Sequence, residues 1–121
     1  MASNKGGLKT MFTPWGLSQH VEKFARGLCS VSTAGHGGYM VGKGFAKKHL
    51  SPEAQAQGME YGNYLTYEED CLWAVVAYEL PKYWPVMFPK CSDLVILKES
   101  IEKSLERWVP EYLKAKEGTG K

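Results

Sequence analysis

The sequence predicts an α+β domain, a small antiparallel β-meander packed against two or three helices in a single domain. Two features point there. Strand-like, glycine-rich segments fill the first half and the long amphipathic pattern lies in the second, a segregation typical of α+β rather than alternating α/β folds. The run from Cys71 to Tyr78 is almost wholly apolar and demands burial on most sides. With 121 residues there is material for one core, closing off roughly two thirds of the surface of the unfolded chain. The domain is expected over 12–113, with 1–11 and 114–121 as flexible polar tails.

Hydrophobic residues at 44% and charged residues at 23% exclude global disorder. Fifteen basic against thirteen acidic residues leave a formal charge of +2. That is far from the concentrated positive field of a phosphate-backbone binder, so a nucleic-acid partner is unsupported. Neither a signal-peptide-like run nor an 18-residue apolar stretch occurs, which predicts a cytoplasmic protein with no membrane partner. Cys29, Cys71 and Cys91 are odd in number and form no C-x-x-C pair, so they are expected as reduced thiols.

Taken in order, Phe12-Thr13-Pro14-Trp15-Gly16 reads as a turn whose aromatics anchor in the core. Between Ser18 and Cys29 a capped helix competes with a hairpin turning at Arg26-Gly27, and the β-branched strand Leu28–Ser32 favours the hairpin. Gly35–Gly38 then links that strand to Tyr39-Met40-Val41, with His36 at the loop tip. Gly42-Lys43-Gly44 ends the meander, and Phe45–Leu50 makes a short helical turn. Ser51-Pro52-Glu53 starts a helix that Gly58 stops, a cap followed by proline at the first helical position. Its Ala/Gln composition predicts a surface connector.

Thr66-Tyr67-Glu68-Glu69 fits a capping box, which favours a helix through the following apolar run, although Val75-Val76 would suit a strand as well. Pro81, Pro85 and Pro89 predict an irregular apolar arm. Last, Ser92 caps a helix with Leu94, Leu97, Ile101, Leu105 and Trp108 on one face, closed by Pro110.

Three glycines around one histidine in Gly35-His36-Gly37-Gly38 mark the candidate site. Glycine lets backbone or ligand approach closely, and a histidine held there can act as acid, base or metal ligand. Gly35, His36, Gly37, Gly38 and Tyr39 are therefore candidate ligand- or partner-binding residues, with His36 the catalytic candidate. Tyr67, Glu68 and Asp70 complete the binding set, and Glu69 is the second catalytic candidate. Carboxylates in one helical turn fan out about 100° apart, so at most two can share a point. Cofactors are none or unknown, a divalent metal on the carboxylates being possible in principle. The loop matches neither the Walker nor the dinucleotide pattern. Tyr61, Tyr64, Tyr67 and Tyr78 around the acidic turn suit an interaction surface as well as they suit half-buried packing.

Pro14-Trp15-Gly16, the stretch Ser32–Tyr39 and Tyr67-Glu68-Glu69-Asp70-Cys71 followed by Trp73-Ala74-Val75-Val76 resemble a family of uncharacterised small domains found in bacteriophage and plasmid genomes. The similarity spans roughly 12–81. It implies that His36 and the Glu68–Asp70 turn meet in space, and it implies no activity. By analogy it suggests a small accessory protein in the host cell cytoplasm that binds a host protein or protein complex, as an inhibitor of a defence system would. The alternative is a small metal-dependent hydrolase or nucleotide-binding enzyme built on the Gly-His-Gly-Gly loop and the Glu-Glu-Asp turn.

Overall fold

The computed structural model describes residues 10–119, and the part of the expected N-terminal tail before Thr10 lies outside them. The fold is α+β. Five antiparallel strands form one sheet in the order β3-β4-β5-β7-β6, comprising β3 (His20–Ala25), β4 (Leu28–Ser32), β5 (Gly37–Gly42), β6 (Met59–Tyr61) and β7 (Tyr64–Glu68). A separate ribbon pairs β1 (Phe12–Thr13) with β2 (Gly16–Leu17). The helices are α1 (Lys43–His49), α2 (Pro52–Gln57), α3 (Trp73–Glu79), α4 (Trp84–Met87), α5 (Leu94–Trp108) and α6 (Pro110–Thr119). None of the described helices is long and apolar enough to cross a membrane.

The hairpin reading of 18–29 holds: β3 and β4 turn at Arg26-Gly27, where Gly27 adopts φ +91°, a region that costs residues with a Cβ. Strands β3, β4 and β5 are the expected meander, but the sheet does not stop there. Thr66-Tyr67-Glu68 belongs to β7, not to a helix cap, and the Thr66 hydroxyl donates across to Met59 O at 2.9 Å. The reason is alternation: Leu65 and Tyr67 point into the core while Thr66 and Glu68 point to the other face, and β5 offers an edge for full pairing from Gly38↔Glu68 to Gly42↔Tyr64. Local capping signals lose to five residues of ladder.

The apolar run is helical from Trp73, and Ala74–Ala77 are completely buried between the sheet and α5. Helix α5 is capped by Asp93, whose carboxylate accepts from Val95 N and Ile96 N at 3.0 and 3.2 Å, instead of by Ser92. Leu97, Ile101 and Leu105 form its buried stripe, whereas Leu94 and Trp108 at its two ends are exposed. The prolines build the expected arm, as a 3₁₀ turn (Pro81–Tyr83) followed by α4, with Trp84 Nε1 donating to Ala77 O at 2.8 Å.

Three further expectations change. Phe12 is 76% exposed, so of the two aromatics of that turn only Trp15 packs inward, over Gly38. Helix α2 is not a surface connector, because Ala54 is fully buried and its carbonyl accepts from the Tyr67 hydroxyl at 2.8 Å. Residues 114–119, read as tail, continue α6, which docks through buried Tyr112 and Leu113.

Candidate functional site

At the end of the sheet, the turn between β4 and β5 meets the turn between β7 and α3. Thr33 shapes the first. Its amide donates to His36 O at 2.7 Å, and its hydroxyl accepts from His36 N at 3.1 Å while lying 2.7 Å from His36 O. Glu68 shapes the second, its Oε1 accepting from the amides of Asp70 and Cys71 at 3.0 and 3.1 Å. The two turns are joined by Glu69 N donating to Gly37 O at 2.9 Å, one rung beyond the β5–β7 ladder.

That rung sets the side chains. His36 Nδ1 lies 3.6 Å from Glu68 Oε2, and one ligand atom from each of His36, Glu68 and Asp70 falls within 4.8 Å of the others. The imidazole is exposed and Glu68 partly buried. At 3.6 Å the His36–Glu68 contact is too long for a hydrogen bond. Among the described residues no hydrogen bond holds the imidazole ring or the Asp70 carboxylate. Burial first, and then the hydrogen bond and charge of Glu68 and the charge of Asp70, push the neighbouring Cys71 thiol up.

Glu69 does not join this cluster. It lines a cleft of about 380 Å³ with His20, Glu22, Ser30, Tyr39 and Trp73. Sequence reasoning missed this cleft, although His20, Glu22 and Phe24 alternate on one strand and therefore share a face. Burial, with a smaller contribution from the Glu22 charge, pushes the Tyr39 hydroxyl up to about 12, so it stays a neutral donor. Tyr67 is fully buried and spends its hydroxyl on α2, which removes it from any exposed contact surface.

The glycines have an architectural cause. A Cβ on Gly37 would lie 2.3 Å from Val31 O, and one on Gly38 would lie 2.2 Å from Tyr67 O and 2.8 Å from the Trp15 ring. Both residues sit inside β5, and neither they nor Gly35 has positive φ. They admit neighbouring strands and an indole instead of forming an anion-cradling loop.

The fold and site define a small α+β domain with an open antiparallel sheet and a histidine–carboxylate cluster at one sheet end. The chain belongs to the family of the domain of unknown function DUF7007, which matches residues 9–120. No curated protein and no solved structure matches it.

Proposed function

We propose that this chain is a small accessory protein of bacteriophage or plasmid genomes that works by binding a host protein assembly, the inhibition of a defence system being the form of that role its family resemblance favours. The observation that supports it is the first turn of α5. Leu94, Val95 and Ile96 are consecutive, large and apolar, yet 58%, 68% and 57% exposed. They overhang the buried stripe that begins at Leu97, so the chain's own core has no use for them. Beside them runs a groove of about 440 Å³ lined by Pro81, Trp84, Pro85, Phe88, Pro89 and Leu94. Contiguous apolar surface of this kind, rich in aromatic residues, is the composition of a protein contact.

A photo-crosslinking amino acid at Val95, compared with one at exposed Lys48, tests the reading in host cells. A single host protein crosslinked from position 95 and not from 48, and lost when Ile96→Asp is added, is the expected result. Crosslinking only to a second copy of the chain, or to nothing, refutes it.

The alternative of a metal-dependent hydrolase or nucleotide-binding enzyme has one observation on its side, the convergence of His36 with Glu68 and Asp70. The surrounding loop lends it little, because the His36 amide is already bonded to Thr33 and Gly37 and Gly38 are enclosed in the sheet. A phosphate would find few free amides there.

A further inference from the structure

We infer that His36, Glu68 and Asp70 form a binding site for a borderline divalent transition-metal ion, of which zinc is the type. The donor set comes first. One imidazole nitrogen and two carboxylates suit zinc-like ions, whereas magnesium and calcium favour all-oxygen shells. Among the described residues these three are the group of histidine, cysteine and acidic side chains whose ligand atoms converge within 4.8 Å.

The geometry agrees. Ligands held about 2.0–2.2 Å from a tetrahedral zinc ion stand about 3.3 Å from one another. The 3.6 Å between His36 Nδ1 and Glu68 Oε2 is close to that spacing and longer than any hydrogen bond the two could share. The outermost separation, up to 4.8 Å, needs a closing movement of about 1.5 Å. Asp70 can supply it, since its side chain is exposed and no hydrogen bond holds its carboxylate.

Glu68 is already positioned. Its Oε1 is fixed by the amides of Asp70 and Cys71, which leaves Oε2 turned towards the histidine. Such outer hydrogen bonds orient a metal-ligating carboxylate before the ion arrives. The ligands also come from two turns on different strands, locked in register by Glu69 N and Gly37 O. A bound ion would therefore tie the β4–β5 turn to the β7–α3 turn, with its remaining position open to water or to a donor from a partner.

Isothermal titration of the full chain with Zn²⁺, and separately with Mg²⁺, tests the site. The expected result is one Zn²⁺ per chain, bound more tightly than Mg²⁺. Affinity should fall at least about 10-fold in His36→Ala and in Asp70→Asn, and stay unchanged in His20→Ala and Cys91→Ser. Glu68→Gln serves as a further variant, because its amide oxygen can still accept from the two backbone amides. Zn²⁺ binding that survives His36→Ala, that is lost in His20→Ala or Cys91→Ser, or that is absent from the wild type overturns the inference.

Discussion

Glu79, at the end of α3, is the polar joint of the helical layer, and removing one of its partners should be measurable. Its side chain is only 6% exposed. Oε1 accepts from Ser51 N at 2.8 Å. Oε2 accepts from the Ser51 hydroxyl at 2.8 Å and from the Tyr112 hydroxyl through a very short contact, with Lys116 Nζ 3.3 Å away. Ser51 in turn accepts from Ala54 N and so caps α2. One carboxylate thus ties α2, α3 and α6 together. Tyr112→Phe keeps the ring against Tyr78 and deletes one hydrogen bond to a charged acceptor, at a cost of about 1.5–3 kcal/mol. Glu79→Ala leaves the Ser51 amide and the Ser51 and Tyr112 hydroxyls without their acceptor, at about 1–3 kcal/mol for each orphaned group.

The pH dependence supplies an internal control. Burial alone would raise the Glu79 carboxyl, but the hydrogen bonds from Tyr112 and Ser51 and the Lys116 charge outweigh it and hold the group below the ordinary glutamate value of 4.5. A carboxyl depressed on folding stabilises the protein fully above its unfolded value, and that stability drains away as pH falls through the folded value. Urea denaturation of the wild type and both variants at pH 7 and at pH 3 should therefore show a large gap at pH 7 that narrows at pH 3. Tyr112→Phe within about 0.5 kcal/mol of wild type, or a gap equal at both pH values, would refute the joint.

Two more outcomes follow from packing. Ile101 is 1% exposed in the middle of the α5 stripe, so Ile101→Ala should lower stability by about 2–5 kcal/mol in chemical denaturation; an unchanged midpoint would place that face in solvent. Gly38→Ala should cost about 1–3 kcal/mol or more, because its Cβ meets Tyr67 O and Trp15, whereas Gly35→Ala, with open space around it, should stay within about 0.5 kcal/mol. Equal melting temperatures for the two glycine variants would contradict the close-approach explanation.

What could be read from the sequence was what local chemistry decides. Gly27 at positive φ, Ser51-Pro52 at a helix start and the four-residue spacing of Leu97, Ile101 and Leu105 each act within a turn or two of chain. Thr66-Tyr67-Glu68-Glu69 misleads because its capping pattern is equally local, while the strand it joins is fixed by pairing with Gly38–Gly42 more than twenty residues earlier. The β6–β7 hairpin carried a signal of its own, Gly62-Asn63 between tyrosines, with Gly62 at φ +59°. Helix α6 had almost none. Tyr112 and Leu113 are adjacent and give no helical period, and Glu79, which holds Tyr112, is 33 positions away.

The glycine-rich stretch shows how residues singled out for one reason can be required for another. Glycines beside a histidine suggest a backbone shaped around a ligand, but Gly37 and Gly38 are shaped around Val31 O, Tyr67 O and the Trp15 ring. Those close approaches let the strands run on to the sheet end, and there Glu69 N reaches Gly37 O and draws the acidic turn against His36. The glycines build the frame; His36, Glu68 and Asp70 are the side chains that the inferred cation site would use. The two roles separate by experiment, since stability should respond to Gly38 and not to the exposed His36, and cation affinity should respond to His36 in a protein whose fold is intact. A stretch that looks like one motif is then two, joined by a single rung of the sheet.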